Sequence, residues 1–306
     1  MIVLRDSSSF PPTYRNAVLA LGNFDGLHLG HRAVIGKAAT LARETGKPLG
    51  IMTFEPHPRR IFQPHLPPLR ILPLREKLRE LAAMEVSFLR VIRFTKAFSQ
   101  TTATDFVTRI LHDTLHVSHV VTGDDFVFGH NREGTTAILG AMAAKLGFAA
   151  TACAQLDIGG ERCSSTRIRE ALMLGNVELA ARLLGRPYSI SGHVREGDKR
   201  GRTIGFPTAN ILPAPIFLPR FGVYAVRTQV NGRPVTGVAN LGLRPTFGGT
   251  RVRLETHLFD WQGDIYGQRL NIELAHFLRS EQRFDGIEAL KTQIVEDSRK
   301  ARGMLA

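Results

Sequence analysis

Two histidines three positions apart, at the end of a glycine-rich turn, are the first side chains in this sequence suited to handling phosphate. They close the run Gly22-Asn23-Phe24-Asp25-Gly26-Leu27-His28-Leu29-Gly30-His31. Gly22, Gly26 and Gly30 let the backbone approach a ligand closely around Phe24. The helix expected after the turn aims unpaired N–H groups and a positive dipole end at the same place. His28 and His31 can then reach one set of phosphates. A capped helix bearing two surface histidines explains the bare tetrapeptide equally well. A second phosphate-type composition is Ser164-Ser165-Thr166-Arg167-Ile168-Arg169. Hydroxyls on Ser165 and Thr166 and the Arg169 guanidinium would sit at a helix start. Taken singly, an N-cap followed by a solvated basic turn accounts for it.

Two apolar runs end in rigid or glycine-rich turns: Thr53-Phe54-Glu55-Pro56-His57-Pro58 and Gly123-Asp124-Asp125-Phe126-Val127-Phe128-Gly129. Carboxyl ends of strands are where ligands bind in open α/β sheets, which makes Asp125 a nucleotide-binding candidate. Phe126 and Phe128 could equally be core aromatics.

The longest chemically loaded stretch covers 192–210, ending Gly205-Phe206-Pro207-Thr208-Ala209-Asn210. It lacks the Gly-Lys-Ser/Thr order of a Walker A loop. Gly197, Gly201 and Gly205 with basic residues between them suit a loop wrapped on phosphates. Thr208 and Asn210 are two apart, so on an extended segment both oxygens face one side and could share magnesium with ATP. Downstream, Arg253-Leu254-Glu255-Thr256-His257 alternates, with Glu255 and His257 opposite Leu254 and Thr256. From its own residues Glu255 reads most simply as a surface strand glutamate.

Helices and strands must place these residues. In the first half, apolar strands at 17–21, 49–54, 88–94 and 117–121 alternate with helical patterns at 31–45, 74–84, 103–111 and 138–146. That rhythm predicts a Rossmann-like, doubly wound parallel sheet, closed by helices at 167–174 and 177–184. After Gly185-Arg186-Pro187 the style changes to short alternating segments at 188–194, 222–230, 235–241, 253–259 and 269–278. These predict a small antiparallel barrel. A final helix carries Ile287, Leu290, Ile294 and Ala301 on one face, with Asp285 and Glu288 read as a capping box. The domains are therefore expected at 1–186 and 187–306.

Composition narrows the classes. The 306 residues are 43% hydrophobic and 22% charged, as in ordinary globular domains. Net charge is +13, shared as 23 Lys+Arg against 16 Asp+Glu up to residue 186 and 17 against 11 after it. Without a basic block, the charge suits small anionic substrates as well as it suits nucleic acid, and an ordinary basic globular protein would show it too. No apolar run is long enough to span a membrane. The start of the chain lacks a secretory apolar core, and two cysteines, Cys153 and Cys163, fit a reducing cytoplasm.

Together, the histidine loop and the Ser-Ser-Thr-x-x-Arg run resemble nucleotidyltransferases related to class I aminoacyl-tRNA synthetases. With the two strand-end turns, the resemblance is to the FMN adenylyltransferase module of bacterial riboflavin kinase/FAD synthetases. The Pro-Thr-Ala-Asn run at 207–210, Gly222-Val223-Tyr224, residues 237–246 and 254–260 resemble the riboflavin kinase module of the same enzymes. The resemblance spans about 17 to 302; Cys163 stands where a branched aliphatic is more usual. It implies two activities: ATP-dependent phosphorylation of riboflavin to FMN, and adenylylation of FMN to FAD. It also implies that Glu255 is the kinase base, and that His28, His31 and Arg169 stabilise adenylyl transfer. Adenylyltransferases for pantetheine phosphate or nicotinamide mononucleotide share the first motifs and lack the Pro-Thr-Ala-Asn signature. A synthetase fragment would need a lysine-rich second signature, and a basic RNA-binding protein would show aromatic-basic interleaving; neither is seen.

Overall fold

The computed structural model describes residues 1–5, 10–196, 204–246 and 249–306, and their side chains except those of 244–251. Contacts divide the chain into two units, Met1–Ser165 and Thr166–Ala306.

The first unit is built on six parallel strands: β1 (Ile2–Arg5), β2 (Val18–Leu21), β3 (Leu49–Glu55), β4 (Phe88–Arg93), β5 (His119–Gly123) and β6 (Ala149–Cys153). Their spatial order is β1-β4-β3-β2-β5-β6. Every residue of β2 is buried, as expected for a parallel strand covered on both faces. Val18 and Ala20 pack with Val34, Ile35 and Ala38 of α1 (Leu29–Thr45) and Leu81 of α3 (Leu74–Ala82); α2 is the short Pro58–Phe62. Leu19 and Leu21 pack on the other side with Val107, Leu111 and Leu139. The chain leaves β2 for β3 on one side and returns to β5 on the other. The crevice beyond the carboxyl ends of β2 and β5 is thus the topological switch point where such sheets bind ligands.

Three features differ from the sequence reading. Ile2–Arg5, where no element was expected, pairs in parallel with β4 from Ile2↔Phe88 to Arg5↔Val91. The helix expected over 103–111 is one turn of α4 (Ala103–Asp105) running into a π-helical segment, Phe106–Thr114. A hairpin of β7 (Asp157–Ile158) and β8 (Glu161–Arg162) is a further addition.

From Thr166 on, the rest of α6 (Ser165–Met173) and α7 (Val177–Leu184) lead into a closed antiparallel barrel. Its strands are β9 (Tyr188–Arg195), β10 (Ala209–Ile211), β11 (Gly222–Val230), β12 (Arg233–Thr246), β13 (Gly249–Leu258) and β14 (Arg269–Arg279), in the order β10-β13-β12-β11-β14-β9. Tyr224, Leu254, Thr256 and Ile272 are fully buried in it. On the outside, Ala301 and Leu305 of α8 (Ile287–Leu305) cover Val223, Ala225 and Val238. The expected capping box does not form. The N-cap of α8 is Gly286, with no side-chain cap bond; Glu288 instead accepts from Lys291 at 2.8 Å. The helix start is set by an extended glycine that Asp285 precedes by one residue, out of capping position.

Candidate functional sites

At the switch point the turn after β2 is tightly wound. Gly26 has φ +85°, and two ordinary residues, Phe24 (φ +47°) and Leu27 (φ +45°), also adopt left-handed backbone. Such conformations persist only where the surroundings enforce them, and both side chains are buried. The Phe24 ring lies beneath Gly22 and meets the His31 ring edge-on, with centroids 5.4 Å apart. What Phe24 offers a ligand is therefore loop shape and the setting of His31.

His28 is the N-cap of α1: its Nδ1 accepts from the His31 backbone N–H at 3.2 Å. A neutral ring with Nδ1 occupied as acceptor holds its proton on Nε2, as a donor. The two imidazoles stack, 3.5 Å between centroids and 20° between planes. Gly30 leaves room for this approach: a Cβ there would lie 3.1 Å from His28 Nδ1 and 3.2 Å from the Cys163 carbonyl oxygen, so the ring or the carbonyl would have to give way by a few tenths of an ångström. The Gly30 N–H donates to Cys163 Sγ at 3.3 Å, and that sulfur lies 3.5 Å from His28 Nδ1. Both thiols are free, and burial pushes each one's pKa up. Ser165 Oγ donates to the Asp25 carbonyl at 3.0 Å, which joins the hydroxyl run to the histidine turn.

Asp125 is exposed and paired with Arg162 at 2.9 Å. Thr166 and Arg169 lie on the first two turns of α6, Thr166 exposed and Arg169 half-buried. Sequence reasoning missed Lys77. Its ammonium is buried, donates to the Asn23 carbonyl at 2.9 Å and stands 3.9 Å from Glu55 Oε1. A lysine on an amphipathic helix gave no hint that it would hold the turn after β2 from below.

Burial, the stacked His28 ring and the Lys77 charge hold the His31 pKa well below the ordinary histidine value. The unfolded chain takes up this proton near pH 6.5 and the folded one does not. This share of stability is present above that value and lost as pH falls below it. We expect the thermal midpoint to drop between pH 7 and 5, with a slope of up to about 1.4 kcal/mol per pH unit for this proton. In His31→Gln the slope should flatten relative to the parent chain; His119, shifted the same way by burial and two lysines, is common to both proteins. Equal slopes would show that His31 protonates freely in the folded state.

The second site is a cavity of about 430 Å³ on the outer face of the barrel. Thr208 and Asn210 line one wall, Asn240, Arg253, Glu255 and His257 the next, and Phe284, Leu290 and Ile294 the third. Register gathers the polar groups: Glu255 lies opposite Asn210 on one side and Asn240 on the other. His257 Nδ1 donates to the Pro207 carbonyl at 2.9 Å, and its ring meets Phe206 edge-on at 5.4 Å. That anchors the segment leading into Thr208. Across the cavity, buried Asp297 of α8 accepts from Arg279 Nε at 3.0 Å and Nη2 at 2.7 Å, and from Gln293 at 2.9 Å. This fixes the helix that forms the apolar wall. Gly205 is exposed with φ +89°. Gly197 and Gly201 lie outside the described residues. Among the described residues, no group of three or more His, Cys, Asp or Glu could hold a metal, and no helix is long and apolar enough to cross a membrane.

A parallel sheet with a histidine–glycine turn at its switch point, followed by a barrel with a carboxylate-bearing polar cavity, defines a two-module ATP-using transferase. The profile of the FAD synthetase family matches residues 11–167, and that of the riboflavin kinase family 184–305. The Escherichia coli K12 bifunctional riboflavin kinase/FMN adenylyltransferase is 43% identical over 93% of this chain and 91% of its own length. The Bacillus subtilis protein of the same name is 40% identical over 93% and 91%. The chain belongs to the bifunctional riboflavin kinase/FMN adenylyltransferase family. The same fold is found in a Streptococcus pneumoniae crystal structure titled a macrolide-efflux protein, with a TM-score of 0.89, 30% identity and 99% of each chain covered.

Proposed function

We propose that the barrel cavity performs the phosphorylation and the turn after β2 the adenylylation, the two transferase activities of this family. The chain phosphorylates riboflavin to FMN and transfers AMP from ATP to FMN, giving FAD and pyrophosphate. One observation carries the kinase assignment: Thr208, Asn210 and Glu255 line the same cavity, the last two opposite each other in the ladder.

In the kinase step Glu255 takes the proton of the ribityl primary hydroxyl as its oxygen attacks the γ-phosphorus. The bond to the bridging oxygen breaks and ADP leaves. Asn210 Oδ1 is buried and has no hydrogen-bond partner among the described residues. With the Thr208 hydroxyl it provides the neutral oxygen donors that magnesium accepts. Bound with ATP, magnesium would neutralise developing phosphate charge.

In the adenylyl step an FMN phosphate oxygen attacks the α-phosphorus and pyrophosphate leaves. The nucleophile is already anionic, so no covalent enzyme intermediate is required. The His28 Nε2–H, His31, Ser165, Thr166 and Arg169 act by positioning and charge stabilisation, with Gly22, Gly26 and Gly30 giving access and Asp125 at the neighbouring strand end. The reading places the chain in the cytoplasm, which two free thiols support.

We further propose that the activities divide near residue 186. A 187–306 fragment should convert riboflavin to FMN with Mg-ATP and make no FAD, as read by flavin chromatography. A fragment from 166 should be the more stable, because Glu178 of α7 pairs with His276 at 2.8 Å and the Leu172 carbonyl accepts from the Arg220 N–H at 2.8 Å. A folded 187–306 fragment without kinase activity would overturn the division of labour.

A further inference from the structure

Arg253 has no role in the chemistry described so far, and its surroundings are unusual. It sits two residues before Glu255 on β13, so alternation puts both on the outer face of the barrel, and both line the cavity. Its Nε and Nη1 are buried and have no hydrogen-bond partner among the described residues. A buried guanidinium N–H left unpaired is costly, and each such group calls for an explanation. One acidic side chain beside this strand pair is engaged elsewhere. Glu281 lies over Gly242, the cross-strand partner of Arg253, so closely that a Cβ on Gly242 would be 1.9 Å from Glu281 Oε1. That same oxygen accepts from Asn240 Nδ2 at 3.3 Å, and no ion pair joins Glu281 to Arg253.

Position along the strand says which substrate Arg253 meets. Glu255 lies opposite Asn210, and His257, on its far side, is tied to Pro207 beside Thr208. ATP therefore approaches Glu255 from the His257 side. The flavin must extend from Glu255 the other way, past Arg253 at a rise of about 3.3 Å per residue, toward Leu243, Phe284 and Leu290. An isoalloxazine ring presents apolar faces and an edge of acceptors, N1 and the C2 carbonyl, next to where the ribityl chain joins. A guanidinium is donor-only with a planar fork.

We propose that Arg253 is a substrate-binding residue of the kinase site, donating to the acceptor edge of the flavin where the ribityl chain meets the ring. The inference rests on the cavity being the kinase site. The groups it contacts do not change during phosphorylation, so its contribution is to flavin binding, felt by riboflavin and FMN alike.

The test compares Arg253→Gln and Arg253→Lys with Glu255→Gln in the full-length chain. Riboflavin phosphorylation is followed at varied riboflavin and varied ATP, and flavin-fluorescence titration gives affinities for riboflavin and FMN. Loss of one charge-assisted hydrogen bond should raise the riboflavin KM of Arg253→Gln on the order of 10- to 100-fold. KM for ATP should move far less, and both flavin affinities should fall together. Arg253→Lys should recover part of the loss, and it serves as the variant of record if the Gln protein does not fold. An unchanged riboflavin KM overturns the proposal, and so does a fall confined to kcat or to FMN affinity, which would assign Arg253 to the transferred phosphate. If Glu255→Gln phosphorylates at the normal rate, the cavity assignment itself has failed; if Glu255→Gln is inactive while Arg253→Gln binds riboflavin normally, only the role of Arg253 has.

Discussion

Replacing Glu255 by Gln should lower riboflavin phosphorylation by about 100- to 10,000-fold, the usual worth of a general base. The substitution keeps the size of the side chain and its place between Asn210 and Asn240 in the ladder. The negative charge goes, and with it the ability to take a proton. Affinity for Mg-ATP should change little, because Thr208 and Asn210 remain. FAD formation from supplied FMN should persist, because that chemistry belongs to the other module. Single-turnover phosphorylation, with adenylylation as the internal control, separates this from a folding defect. If Glu255 were only a solvated strand residue, Gln would be almost silent, and a near-normal rate would leave the kinase without an identified base.

The second large effect is expected at the histidine turn. His28→Ala or His31→Ala should cut FAD formation on the order of 100-fold or more, as when one transition-state donor is lost, while FMN formation continues. His28 also caps α1, and losing an N-cap costs about 1 kcal/mol. His28→Asn separates the two roles, because Asn caps helices well and has no imidazole. We expect His28→Asn to keep the thermal midpoint and still lose adenylylation. A histidine-free turn that made FAD at the parental rate would remove this site from the mechanism.

Much of this arrangement was legible because local signals agree with one another. Alternation around Glu255 placed it opposite Leu254 and Thr256, and the ladder keeps it there. The run from Gly22 to His31 announced a strand, a turn and a helix start together. Other features depend on contacts between distant segments. β1 has only four residues, and Ile2–Arg5 becomes a strand because β4 offers it an edge. Lys77 reads as a solvated helix residue until the chain folds over it. Arg253 carries no local sign of a role, and nothing near it in sequence reveals that Glu281 accepts from Asn240. The third wall of the cavity comes from α8, which periodicity identified as a closing helix and nothing more. Asp285 and Glu288 fit a capping pattern, but the backbone enters the helix one residue later, at Gly286.

The pairing of Glu255 with Asn210 and Asn240 makes the kinase unusually intolerant of changes in chain length. Moving β13 by one residue exchanges its two faces. Glu255 would then turn into the barrel interior, and Leu254 or Thr256 would take its place at the cavity. A deletion scan along β13 should therefore abolish phosphorylation even at positions where any single side chain can be replaced. The same scan in the exposed loop between β13 and β14, at Gln262 and Gly263, should be far milder, because the lost residue there shortens a loop and leaves the Glu255 row in step.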